Sequence, residues 1–322
     1  MPFSPLKFQI PLAAGGIALM AFNFFQHVIP HGKGLVTLDD FLQTGLTPTQ
    51  YYFYLPLIGL MLLFTIINLS SAIAYLRQLI RWLGNRAAFL EFMAGPPTVA
   101  VGLFVPVASL AMTALVFFAP LVFFIPQMSS KMQTLMAPGF GFFGILWIIL
   151  FWLEFRALKT WLGRPLDSSK LNFVWLLDVF SFGLVSLYGT GITALSDNPA
   201  VVSIAAIASI FSLVFGFLLL IGKLTYLLYL QMKADSLPGN NILPAFFILI
   251  PISCLYGFSF YRIGIFLKAS FQLDLSLFLF VSLVFPYVIS ILWGLFCLYL
   301  LGGYFRKVFW GAEFAPPQWS MV

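Results

Sequence analysis

Asn240 to Gly257 reads NNILPAFFILIPISCLYG, and the reading of this stretch decides the fold. A polar, glycine-bearing loop at 235–241 gives way to an apolar run. Pro244 falls in the first turn of the helix that starts there, where a missing N–H costs nothing. Pro251 follows seven residues later, two turns in. There it frees a backbone carbonyl, and in lipid that carbonyl needs a neighbouring helix or a wet cavity. The stretch predicts a membrane helix that bends, with its bent part facing protein or water.

The same design recurs along the chain. Lys7 to Leu19 (KFQIPLAAGGIAL) carries Pro11, then Gly15 and Gly16. Glu91 to Met112 carries Pro96, Pro97 and then Pro106. Leu171 to Gly189 lacks the prolines but has Gly183 and Gly189, with Gly191 just beyond. Phe314 to Val322 (FAPPQWSMV) begins the pattern once more. These copies read as an internal repeat of a helical hairpin with a broken first helix and a plainer second one. Parallel repeats of this kind build transport proteins around an axis along the membrane normal.

Composition agrees. Hydrophobic residues make up 61% of the 322 and charged residues 8%, with a mean hydropathy of +1.03. Soluble domains carry roughly a quarter charged residues, so the chain reads as an all-α polytopic membrane protein. Apolar runs of spanning length lie at about 8–29, 52–76, 97–126, 139–160, 171–195, 199–230, 242–267 and 275–303. We number them spans one to eight. The hairpins are 8–76, 97–160, 171–230 and 242–303, and 314–322 starts a ninth helix; together they make a single transmembrane domain without linkers.

With an inward N-terminus, Lys7, Arg77, Arg81, Arg86, Arg156, Lys159, Arg164, Lys170, Lys223, Lys233, Arg306 and Lys307 share one face. Only Lys33, Lys131, Arg262 and Lys268 fall on the other. This positive-inside bias predicts an integral membrane protein with a cytoplasmic N-terminus; a bacterial inner membrane is the expected location. The net charge of +6 is accounted for by that rim and gives no reason to invoke nucleic acid.

Few residues suggest chemistry. His27 and His31 are four apart, but a metal site needs more than two ligands, and interfacial polarity accounts for both. Glu154, Arg156 and Lys159 read as interfacial charges at the end of span four. Cys254 and Cys297 lie in apolar runs and imply no disulfide. There is no CxxC, haem-ligand set or nucleotide fingerprint, so neither a cofactor nor a catalytic centre is indicated. Asp178, in NFVWLLDVFSFGLVSLYGTG of span five, lies about 10 Å deep at helical rise. An acid there is a functional candidate, or an ion-pair partner for Lys223 of span six. Ser181, Phe182, Gly183, Ser186, Tyr188 and Gly191 beyond it suit a pore lining or tight helix packing. The candidates for pore lining or kinks are Pro11, Gly15, Pro106, Asp178, Phe182, Gly183, Pro244, Pro251 and Tyr256, with Lys223 as charge partner.

Hairpins that open on a proline- or glycine-broken helix resemble the tellurite-resistance and dicarboxylate transporter family, which includes TehA, the plant slow anion channels and fungal sulfite exporters. The motifs that carry the resemblance are Ile10-Pro11-Leu12 with Gly15 and Gly16, similar to the family's first pore helix, and Leu243-Pro244 through Pro251, similar to its seventh. The resemblance implies ten helices in five hairpins, odd helices ringing a central pore, and a homotrimer. Phe314 to Val322 resembles the start of the family's ninth helix, with Trp319 as its tryptophan. The family's ninth and tenth helices would then lie beyond Val322. That end, QWSMV, is also similar to TsoY-type selenoproteins and their cysteine homologues. A longer chain, a recoded selenocysteine codon and a true eight-helix protein all remain open.

Three functions follow as expectations. The first is a channel or transporter for small anions such as chloride, nitrate, sulfite or a small dicarboxylate. Helix N-termini and a basic rim at one mouth favour anions. The second is a membrane redox protein with a selenocysteine or cysteine just past Val322. The third is a non-conducting accessory subunit.

Overall fold

The computed structural model describes residues 3–32, 34–163, 167–240, 242–310 and 316–321. Lys33, Arg164 and Phe314, all used in the sequence reading, lie outside the described residues. Eight helices there are long and apolar enough to cross a membrane: Pro5–Val28, Pro48–Leu83, Pro97–Phe124, Met132–Leu162, Phe173–Leu195, Pro199–Lys233, Leu243–Phe271 and Ser276–Leu300. No strand occurs among the described residues. The chain is an all-α polytopic membrane protein.

Burial alternates along it. In the spanning window of each helix, 44, 61, 89 and 61% is buried in spans one, three, five and seven. The values for spans two, four, six and eight are 22, 28, 39 and 11%. The odd spans are therefore the inner ones, and the even spans present Leu, Ile and Phe outward, as a lipid-facing surface requires. Span one packs on span three, three on five, and five on seven, and each odd span pairs with the even span that follows it. The arc is open between spans one and seven, which form no extensive packed pair among the described residues.

In each odd span a 3₁₀ turn passes into the main α segment; in span three a short α-helix, Pro97–Ala100, precedes that turn. The junctions are Phe8/Gln9, Leu103/Phe104, Leu176/Leu177 and Ile248/Leu249. Ser4 and Asn172 cap two of these turns, accepting from Leu6 N–H at 3.3 Å and Val174 N–H at 3.0 Å. Pro11, Pro106 and Pro251 each occupy the third residue of their α segment, and Val179 holds that place in span five. The turn Pro316–Met321 packs against Leu243–Ile248 at this same end of the bundle, which we call the proline end.

This geometry places Pro251 close to a helix junction. The proline lies in the first α-helical turn, two residues past the junction, so its missing N–H is cheap. Adjacent carbonyls are met by neighbouring side chains. Trp293 Nε1 of span eight donates to the Phe246 carbonyl at 2.7 Å. Asn68 Nδ2 of span two donates to the Pro11 carbonyl at 2.6 Å. Ser181 Oγ of span five donates to the Phe104 carbonyl at 3.1 Å. The even spans are also not plainer: Pro56, Pro138 and Pro286 lie inside spans two, four and eight. Span four begins at Met132, seven residues earlier than the hydropathy reading placed it.

Candidate functional site

Two places combine burial with polar chemistry. The first is a small cleft of about 70 Å³ between the inner spans, away from the proline end. All four inner spans line it, through Asn23 of span one, Leu115 and Phe118 of three, Tyr188 and Gly191 of five, and Arg262 of seven. Apart from Asn23 and Tyr188 the rest of its wall is apolar, and Arg262 is the only charged residue in it.

Arg262 sits nine residues before the end of span seven at Phe271, about 13 Å of helix at 1.5 Å per residue. Its guanidinium lies over the Phe258 ring at 4.4 Å. A Cβ placed on Gly191 would stand 3.4 Å from its Nη1, in ordinary contact, so the guanidinium lies against span five. No carboxylate pairs with it among the described residues. Tyr188 is oriented differently: its hydroxyl donates to the Gly139 carbonyl of span four at 2.7 Å, leaving the ring to form the cleft wall. A cation with five donors and no protein carboxylate, set in an apolar cleft, is suited to receive an anion.

The second place is at the proline end, between spans four, five and six. Lys223 Nζ is paired with Asp178 Oδ2 and donates to the Trp175 carbonyl at 3.3 Å. The indoles of Trp161 and Trp175 flank the ammonium, with ring centres at 4.5 and 4.6 Å. Asp178 Oδ1 accepts from Val179 N–H at 2.7 Å. Glu154 stands beside this pair. Glu154 and Asp178 are 0% exposed and Lys223 5%.

Of the residues singled out in the sequence, Asp178 and Lys223 do meet. None of the nine pore or kink candidates lines the cleft. Gly15 is buried where spans one, two and three converge; a Cβ there would overlap Met112 and lie 2.8 Å from Asn68 Nδ2. Gly183 faces Tyr256, whose hydroxyl donates to the Val179 carbonyl at 3.0 Å. Phe182 packs edge-on against Phe151 at 5.2 Å and beside Phe215 at 5.3 Å. Pro11, Pro106 and Pro244 are buried and Pro251 half-buried. His31 is held by Gln26 and, at 2.8 Å, by the Gly32 carbonyl, and no group of three metal-ligating side chains forms among the described residues.

Sequence reasoning missed two residues. Glu154 was placed at the interface, but span four continues to Leu162 and buries it completely. Arg262 was counted with the far-side surface charges, yet span seven continues past it to Phe271. In both cases the available signal was an ionisable residue inside an unbroken apolar run. Against known proteins, the chain matches no family model, no curated protein and no solved structure.

Proposed function

We propose that the protein moves small anions across the membrane through the cleft enclosed by the odd spans. The observation that carries this reading is Arg262: a guanidinium without a carboxylate partner among the described residues, in a cleft lined by all four inner spans. Placing a cation within a membrane span is costly, and such residues mark ion pathways. Arginine lining a pore selects for anions. Basic residues concentrate at the proline end, among them Lys7, Arg77, Arg81, Arg86, Arg156 and Lys159, and would raise the local anion concentration there. The positive-inside bias supports a cytoplasmic proline end. With Arg262 as its only charged residue, the cleft suits a monoanion such as chloride or nitrate better than sulfite or a dicarboxylate, whose second charge would need a second cation. The resemblance to the tellurite-resistance and dicarboxylate transporter family, with its trimeric assembly, is consistent with this reading.

The test is anion flux into proteoliposomes of the purified protein. Wild type should pass chloride or nitrate in preference to potassium. Arg262→Gln should lower the flux at least tenfold, and Arg262→Lys should retain part of it. Equal flux in wild type and Arg262→Gln, or no anion flux at all, overturns the reading.

A further inference from the structure

The cluster at the proline end has two acids for one base. Neither oxygen of Glu154 receives a hydrogen bond from any described N–H or O–H, although the side chain is fully buried. Its charged neighbours are Asp178 and Lys223, and all three side chains are buried. Ionised carboxylates only accept, so two of them face to face repel. They form a hydrogen bond only when one holds a proton. An orphaned buried carboxylate is expensive, and a shared proton removes that cost.

We propose that Glu154, Asp178 and Lys223 form a proton-binding site within the membrane, with Glu154 as the group that takes up and releases the proton. In the loaded state the Glu154 O–H donates to Asp178, which also accepts from the Lys223 ammonium, and the cluster is neutral. Release of that proton to water leaves two carboxylates around one ammonium, a net charge of −1. Lys223 is the only member with any exposure, and its ammonium lies between Trp161 and Trp175.

The groups that face the cluster limit what else could titrate there. Span five contributes Asp178, span six Lys223, and span seven the Tyr256 hydroxyl. Span three carries no ionisable side chain. Arg156, on span four itself, turns away and lies over Phe89 and Trp152. Glu91, on the short helix before span three, is exposed. Within this set, Glu154 is the carboxyl that lacks a donor.

The experiment is infrared spectroscopy of the full-length protein in lipid, recorded across pH in H₂O and D₂O. A protonated carboxyl shows a C=O stretch separated from the amide bands that shifts on deuteration. The chain has three glutamates, Glu91, Glu154 and Glu313, so ¹³C-glutamate labelling assigns the band without any substitution. The expected result is a band that moves with ¹³C-glutamate, disappears reversibly as pH rises, and is absent from Glu154→Gln. Absence of a protonated carboxyl band at every pH overturns the proposal, because both acids are then ionised. A band that never titrates or exchanges also overturns it, because the proton is then a fixed structural element. A band that moves with ¹³C-aspartate instead overturns the assignment to Glu154. On the anion-transport reading above, this site would tie anion movement to a proton. The infrared test does not depend on that reading and can succeed or fail without it.

Discussion

Asp178 Oδ1 accepts the N–H of Val179 at 2.7 Å, and Val179 holds the place that proline takes in the other three inner spans. Pro11, Pro106 and Pro251 need no acceptor at this position because they have no N–H. In span five the N–H is present and buried, and the preceding aspartate satisfies it. One sequence difference between repeats thus brings a carboxylate into the membrane, and Lys223 and Glu154 gather around it.

Val179→Pro should therefore be tolerated better than proline elsewhere in the span. It removes one charge-assisted hydrogen bond, a loss of about 1.5–3 kcal/mol. Val185→Pro, in the buried middle of the same helix, should cost about 3 kcal/mol or more and disturb packing as well. Denaturant titration in detergent would rank the two variants. Equal losses would mean that the repeat junctions are not equivalent.

The two members of the ion pair should not be equally sensitive. Lys223→Met leaves two acids with no base, and breaking a buried pair in this way costs about 3–5 kcal/mol. Asp178→Asn should cost less, because Glu154 remains to face the ammonium. The double variant Asp178→Asn/Lys223→Met should recover much of the loss, giving a coupling of about 0.5–3 kcal/mol in a double-mutant cycle. Additive single losses would show that the contact contributes no pairwise energy.

Legibility in the sequence followed the period of the pattern. The repeat was visible because proline and glycine recur at matching helical positions, and the inner and outer spans follow from it. The Asp178–Lys223 pair was legible because both residues lie near the same end of adjacent spans. Glu154 and Arg262 were not, since a hydropathy run shows that a charge lies within a span but not whether the neighbouring helices bury it. The proline junctions were not legible either. A 3₁₀ turn before the α segment shifts each proline into a first turn, and sequence spacing alone does not distinguish the two helix types. The facing of Gly15 and Phe182 depends on helix rotation, which apolar surroundings on every side leave unspecified.

Helix approach at Gly15 offers a sharper contrast. Gly15→Ala drives a methyl group into Met112 and against Asn68 Nδ2, and overpacking of this kind costs about 1–3 kcal/mol. Gly222→Ala, in span six, meets nothing within 4 Å and should be neutral or stabilise by up to about 1 kcal/mol through helix propensity. Thermal aggregation of detergent-solubilised variants would check both. A harmless Gly15→Ala would mean that Met112 simply swings aside.

The side chains that serve the junction carbonyls can be compared with each other. Trp293→Phe keeps the ring but removes the donor to the Phe246 carbonyl, stranding an acceptor at a cost of about 1–3 kcal/mol. Asn68→Leu removes the donor to the Pro11 carbonyl, but it also removes Asn68 Oδ1, which is buried without a partner. Those two effects oppose each other, so Asn68→Leu should be the milder change even though its hydrogen bond is the shorter. Chemical denaturation of both variants in the same detergent tests the order. A larger loss at Asn68 would mean that the orphaned oxygen carries little cost and that the bond across spans one and two matters more than its counterpart across spans seven and eight.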